Sequence, residues 1–155
     1  MSMAYATAQD FIDHFGQREA LALSDRERTG AVNHTVLDRL LSLASDEADG
    51  YIGRRYALPL TTAEGSPAAA PQPLRLAVLN MARYHGVGTE IANYEEITTR
   101  YKSNVQWLQG LADGKILLGT GLAAALVGGP APTGGPTAVR TGGRMFDSSV
   151  LGSML

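Results

Sequence analysis

Between Gly119 and Gly143 the chain carries eight glycines and three prolines in 25 residues. A run of that kind buries too little apolar surface to offset the entropy of ordering it, and glycine gives up the most backbone freedom on ordering. Any core must therefore be built from what precedes it. The 155 residues divide accordingly into a helical domain over 1–118, a Gly/Pro-rich linker over 119–143 and a C-terminal docking segment over 144–155. That last segment regains apolar anchors at Met145, Phe146, Val150 and Leu151, with Arg144 beside them.

Upstream of the linker the apolar pattern is helical. Thr7 can cap a first helix, with Asp10 three residues on in a capping-box arrangement. Phe11, Ile12 and Phe15 share its face, and Gly16 suits the left-handed position beyond it. A short helical piece over Gln17–Leu23 and the polar stretch SDRERTGAVN follow, ending on Asn33, a good N-cap. Val36, Leu37, Leu40, Leu41, Ala44, Ala48, Tyr51 and Ile52 then recur at three- and four-residue steps. Asp38, Ser42, Ser45, Asp46 and Asp49 take much of the opposite side. The charges of Asp46, Glu47 and Asp49 read as a solvated face, and Gly53 suits the C′ position.

ALPLTTAEGSPAAAPQP holds prolines 59, 67, 71 and 73 and predicts a loop or extended arm. Pro73 fits the first turn of the next helix, on which Leu74, Ala77, Val78, Met81, Ala82 and His85 share a face. A further helix is expected over Ile91–Leu111, with Tyr94, Ile97, Tyr101, Val105, Leu108 and Ala112 as its stripe. Gly114 ends it, and KILLG reads as a short strand. The expected fold is mainly α, a compact bundle-like domain of about four helices with an extended Gly/Pro-rich C-terminal tail. Leu37, Leu40, Leu41, Ala44, Ile52, Val78, Met81, Ala82, Ile97, Tyr101, Val105 and Leu108 should be buried.

The residue inventory excludes several chemistries. There is no cysteine, hence no disulfide framework and no thiolate metal site. His14, His34 and His85 are far apart and show none of the paired spacings of a zinc site. The G-x-G patterns at Gly86/Gly88 and Gly119/Gly121 do not sit between a strand and a helix, as a dinucleotide site requires. No catalytic constellation stands out, so neither an enzyme nor a bound cofactor is expected. His85 reads as a hydrogen-bonded residue at a helix end. Trp107 reads as packed under the fold or at a subunit contact. A net charge of −2 is not that of a general nucleic-acid binder. No apolar run approaches the roughly 18 residues of a membrane span, and no signal peptide is visible, so a soluble intracellular protein is expected.

YATAQDFIDHFG, ALSDRE, LDRLLSLASDEADGYIGRRYALPL, LRLAVLNMARY, RYKSNVQWLQGLADGKILLG and GGRMFDSS follow one another in this order. Together they resemble the Mu gp36-like family of head-tail connector, or neck adaptor, proteins of tailed phages and prophages. Ala44 to Leu60 and Arg100 to Gly119 carry most of the resemblance, and the Ala/Gly/Pro-rich run around 119–143 departs from it. The resemblance implies a structural, non-enzymatic protomer that joins a ring of twelve copies beneath the portal protein. Such a ring extends the DNA channel and meets the next neck protein, a stopper or tail terminator, while DNA passes without sequence-specific binding. It implies a place in the virion neck, and in the host cytoplasm during assembly.

Within that frame the Tyr51–Leu60 stretch acquires a reading. Arg54 and Arg55 follow a helix C-terminus, where cations are favoured, and can donate to carboxylates on the same subunit or a neighbour. Tyr56 can bury its ring and keep a polar tip, and Leu58, Pro59 and Leu60 should hold the chain extended as an arm. These six residues, with Arg144, Met145, Phe146, Val150 and Leu151, are the expected partner contacts. The alternative is a small helical nucleic-acid-associated module, terminase-like or regulatory. Against it, phosphate contacts need a basic helix, and the long Val36–Ile52 helix is acidic.

Overall fold

The computed structural model describes residues 3–88 and 94–125. Five helices follow one another: α1 (Ala8–Phe15), α2 (Gln17–Ser24), α3 (His34–Ile52), α4 (Gln72–Val87) and α5 (Glu95–Ala112). The mainly α expectation holds, and the short piece after Gly16 closes a helix of its own. Thr7 and Asp10 form the capping box that starts α1, the Asp10 N–H donating to Thr7 Oγ1 and the Thr7 N–H to Asp10 Oδ2. Gly16 takes a positive φ of 90° but an extended ψ of 156°, so it links α1 to α2 rather than making a left-handed cap.

The loop after α2 is organised by side chains, a feature hidden in its polar composition. Asp25 accepts from the Thr29 and Gly30 N–H groups at 2.7 Å each. Buried Ser24 donates to Ala20 O and accepts from the Asn33 N–H. Asn33 in turn caps α3 by accepting from the Val36 N–H at 3.2 Å.

α3 is the central helix, in contact with all four others. Leu37, Leu40, Leu41, Ala44, Ala48 and Ile52 are buried along it, as the three- and four-residue spacing predicts. Ser45 departs from the expected polar side. It is fully buried, donating to Leu41 O at 2.8 Å and accepting from the Tyr5 N–H at 3.0 Å, so its polarity is satisfied inside the core. From α4 come Leu74, Ala77, Val78, Leu79, Met81 and Ala82. From α5 come Ile97, Leu108 and Leu111. Tyr101 and Val105, expected inside, are half-buried, and Tyr94 is exposed. The inward stripe of α5 therefore ends on Leu111 rather than Ala112. Trp107 is partly buried against the core cluster.

Glu47 on α3 pairs with Tyr101 on α5, and Arg55 beyond α3 meets Gly114 beyond α5. The two helices thus run in the same direction and their C-termini share one end of the molecule. Residues 115–119 do not form the expected strand; they make bends and irregular backbone. Pairing occurs instead as isolated antiparallel bridges, Tyr56 with Ala124, Thr62 with Leu122 and Thr61 with Pro67.

Candidate partner interface

At that shared end the chain leaves α3 through Gly53. Its φ of −60° is right-handed, so the left-handed C′ role expected for it is not what glycine provides. A Cβ there would lie 3.0 Å from Leu58 Cδ1 and 2.9 Å from Asp49 O; the missing side chain lets the following loop fold back onto the helix end. Arg54 and Arg55 come next and both are exposed. The Arg55 guanidinium lies against Gly114, whose φ is 76°, and a Cβ at that glycine would sit 2.7 Å from Arg55 Cζ. Among the described residues neither arginine enters an ion pair. Two cations thus stand exposed at the negative end of the α3 dipole.

Tyr56 turns inward. It is 8% exposed, and its hydroxyl accepts from the Leu118 N–H at 2.9 Å. The expected extended arm is a bulge. Ala123 accepts from the Ala57 N–H at 3.0 Å and donates to Thr61 O at 2.8 Å. Leu58, Pro59 and Leu60 are looped out between those two bonds, with the Leu58–Pro59 peptide cis. Leu60 points into the core at 5% exposure, while Leu58, at 39%, and Pro59 face outward. Two further bonds, Ala63 N–H to Gly121 O and Ala125 N–H to Arg55 O, complete a strap in which residues 121–125 lie along residues 55–63. Gly53, Tyr56, Ala57, Leu58 and Ala125 line an open pocket of about 310 Å³ at its far end. Of the predicted contacts, Arg54, Arg55, Leu58 and Pro59 therefore share an exposed corner, and Tyr56 and Leu60 support it from inside. Arg144, Met145, Phe146, Val150 and Leu151 lie outside the described residues.

A second polar cluster ties the helices together. Glu47 accepts from the Tyr101 hydroxyl at 2.6 Å and meets His85 Nε2 at 2.7 Å. The rings of Tyr84 and Tyr101 stack at 3.9 Å, with His85 edge-on to both. Burial, reinforced by the bond to Glu47, pushes the Tyr101 hydroxyl well above the usual phenol range. The hydrogen-bonded reading of His85 holds. The solvated reading of the acidic run fails for Glu47 and for Asp49, which accepts from the Tyr5 hydroxyl; only Asp46 is exposed. The spacing signal was present: Glu47 stands three residues after Ala44 and four before Tyr51, on the inward side of α3. Among the described residues no His/Cys/Asp/Glu group is arranged to hold a metal, and no helix is long and apolar enough to cross a membrane.

A family model described as Bacteriophage Mu, Gp36 matches residues 5–130, a span that takes in all five helices and the strap. Gene product J of Escherichia phage Mu is 31% identical over 115 residues, which are 73% of this chain and 74% of that protein.

Proposed function

Because the chain belongs to the Bacteriophage Mu Gp36 family, we propose that it is a structural head-tail connector of a tailed phage or prophage. In this reading about twelve copies form a ring beneath the portal, the stoichiometry implied by the family resemblance. The ring extends the DNA channel and presents its far face to a stopper or tail terminator. It has no catalytic role and resides in the virion neck. The observation that carries the reading is the family match across residues 5–130, which includes the corner where Arg54, Arg55, Leu58 and Pro59 are exposed.

That corner suits a protein partner. Arginine is favoured in interfaces for its planar, multiply donating head, and here two of them flank an outward-facing leucine and proline. Tyr56, held by Leu118 and buried, fixes the backbone from which the arginines project. We assign these exposed residues to a subunit or portal contact, with the 144–155 segment docking on a neighbouring subunit or neck protein. The test is genetic and visual. A phage unable to make this protein should accumulate unjoined heads and tails under the electron microscope. Normal particles from that mutant would refute the connector role.

A further inference from the structure

We propose that the strap is exchanged between copies: in the assembled ring, the 55–63 edge of one protomer takes residues 121–125 of its neighbour in the same register. The inference rests on the ring reading above and adds to it the means by which copies are joined.

The way the strap is held motivates it. Its bonds to the edge are between backbone groups: Ala57 N–H to Ala123 O, Ala123 N–H to Thr61 O, Ala63 N–H to Gly121 O and Ala125 N–H to Arg55 O. Such a template is indifferent to which copy supplies the strand. The strap's own side chains are those of Gly121, Leu122, Ala123, Ala124 and Ala125, and Leu122, its one large residue, is only half-buried. No core residue has to move for the strap to lift. The pocket bounded by Gly53, Leu58 and Ala125 shows that the strap's distal end does not seal the surface beneath it.

A hinge is present at the right place. Leu118 is 5% exposed and its N–H is fixed to the Tyr56 hydroxyl, so the chain is anchored up to that residue. Only Gly119 and Thr120 separate it from Gly121, whose φ is 80°. A Cβ at Gly119 would meet nothing closer than 4.0 Å. Rotation over these three residues redirects the strap and leaves the helices untouched. In a dilute protomer the short tether gives the chain's own strap the higher effective concentration. When copies are held side by side, the neighbour's strap competes on equal terms and makes identical contacts. Exchange of an identical element is a low-cost route to assembly, and a head-to-tail exchange closes into a ring when the rotation permits.

The absence of cysteine makes the test clean. Thr62 and Leu122 face each other between the bonds Ala123–Thr61 and Ala63–Gly121, as a non-hydrogen-bonded antiparallel pair. The Cα atoms of such a pair are about 4.5 Å apart, within the range a disulfide spans. The T62C/L122C chain would be assembled reduced with portal protein, weighed by native mass spectrometry, then oxidised and run on a non-reducing denaturing gel. Exchange predicts a ladder of covalently linked chains. It also predicts a cross-linked dimer from a mixture of the single variants T62C and L122C that neither gives alone. Rings that dissolve into internally cross-linked monomers would overturn the exchange and leave the ring reading standing. Protomers that stay monomeric with portal, wild type included, would overturn both. Should the double variant alone fail to assemble, the mixture of single variants, each checked for helicity by circular dichroism, decides the question.

Discussion

Leu37 and Leu41 on α3, Val78 and Met81 on α4, and Leu108 on α5 have no exposed surface. Residues 121–125, by contrast, are held to residues 55–63 by four backbone bonds and one half-buried leucine. The first region is cohesive because each buried side chain removes apolar area from water, worth about 1.5–3 kcal/mol for a leucine or methionine. The second is cohesive only through exchanges of water bonds for protein bonds, each of which nets about 0.5–1.5 kcal/mol. The core therefore sets whether the chain folds, and the strap should open at a smaller cost.

The sharpest break between the two regions comes from truncating the core. Leu108→Ala, or Leu40→Ala on the facing helix, should cost about 2–5 kcal/mol in denaturant unfolding, with the whole helical signal lost in one transition. A cost below about 1 kcal/mol would mean that the helical contact is not what holds the domain together. Next in size is Tyr56→Phe, which leaves the Leu118 N–H without its acceptor. An unsatisfied buried donor costs about 1–3 kcal/mol. Here the loss should be local: by hydrogen exchange the amides of Leu118, Ala123 and Ala125 should lose protection while those of α3 keep theirs. Equal loss in α3 would show that strap and core are one cooperative unit.

Between these extremes lies the Glu47 cluster, polar like the strap but lodged between helices. Tyr101→Phe removes one of two partners of a half-exposed carboxylate and should cost about 0.5–1.5 kcal/mol. It also has a pH signature. The Tyr101 hydroxyl is raised in the folded state, so its contribution is fully present below the unfolded value of about 10 and is lost as pH rises above it. Wild type should weaken above about pH 10, and the variant should weaken less, with Tyr5, raised by burial and by Asp49, accounting for part of what remains. An unchanged alkaline limb would remove Tyr101 from the account. The smallest effect is at Asp10, held below the usual carboxylate range first by the Thr7 N–H and further by Arg75. A depressed carboxyl stabilises above its unfolded value of 3.8, and that contribution is lost as pH falls through the folded value. Asp10→Asn should flatten the acid limb of the stability profile; an identical limb would show that the capping box contributes nothing there.

The two regions also differ in how far the sequence discloses them. The α3 and α4 stripes were legible because buried leucines, valines and methionines at helical spacing leave a periodic trace. So was the capping box, whose two residues are three apart. On α5, Tyr101 and Val105 fit the same period yet stay half-buried: a repeat shows which residues share a face but not how deeply that face sits. Glu47 could be placed inward by its spacing, but the partners of Ser45 and Glu47 were hidden because Tyr5, His85 and Tyr101 are 38 or more positions away. The strap was invisible. Its pairing is carried by backbone atoms, its side chains are mostly alanine, and the bulge at Leu58–Leu60 breaks the alternation that marks a strand. At the candidate site, the arginine pair could be read from its place after a helix end. So could the burial of the Tyr56 ring with its hydroxyl still bonded; the inward turn of Leu60 could not, because it depends on the strap bonds of Ala123.

In the proposed connector, the corner carrying Arg54 and Arg55 joins this protein to a portal-bound ring. Native mass spectrometry of the chain mixed with portal protein, wild type beside Arg54→Glu/Arg55→Glu, tests it directly. Both arginines are exposed, so the double variant should keep its helical spectrum and stay folded, with its unfolding midpoint lowered modestly by the reversed charge at the α3 C-terminus. The account predicts a portal complex carrying about twelve copies for wild type, the number the family resemblance implies, and free monomer for the variant. A variant that loads onto portal with the same stoichiometry as wild type would contradict it.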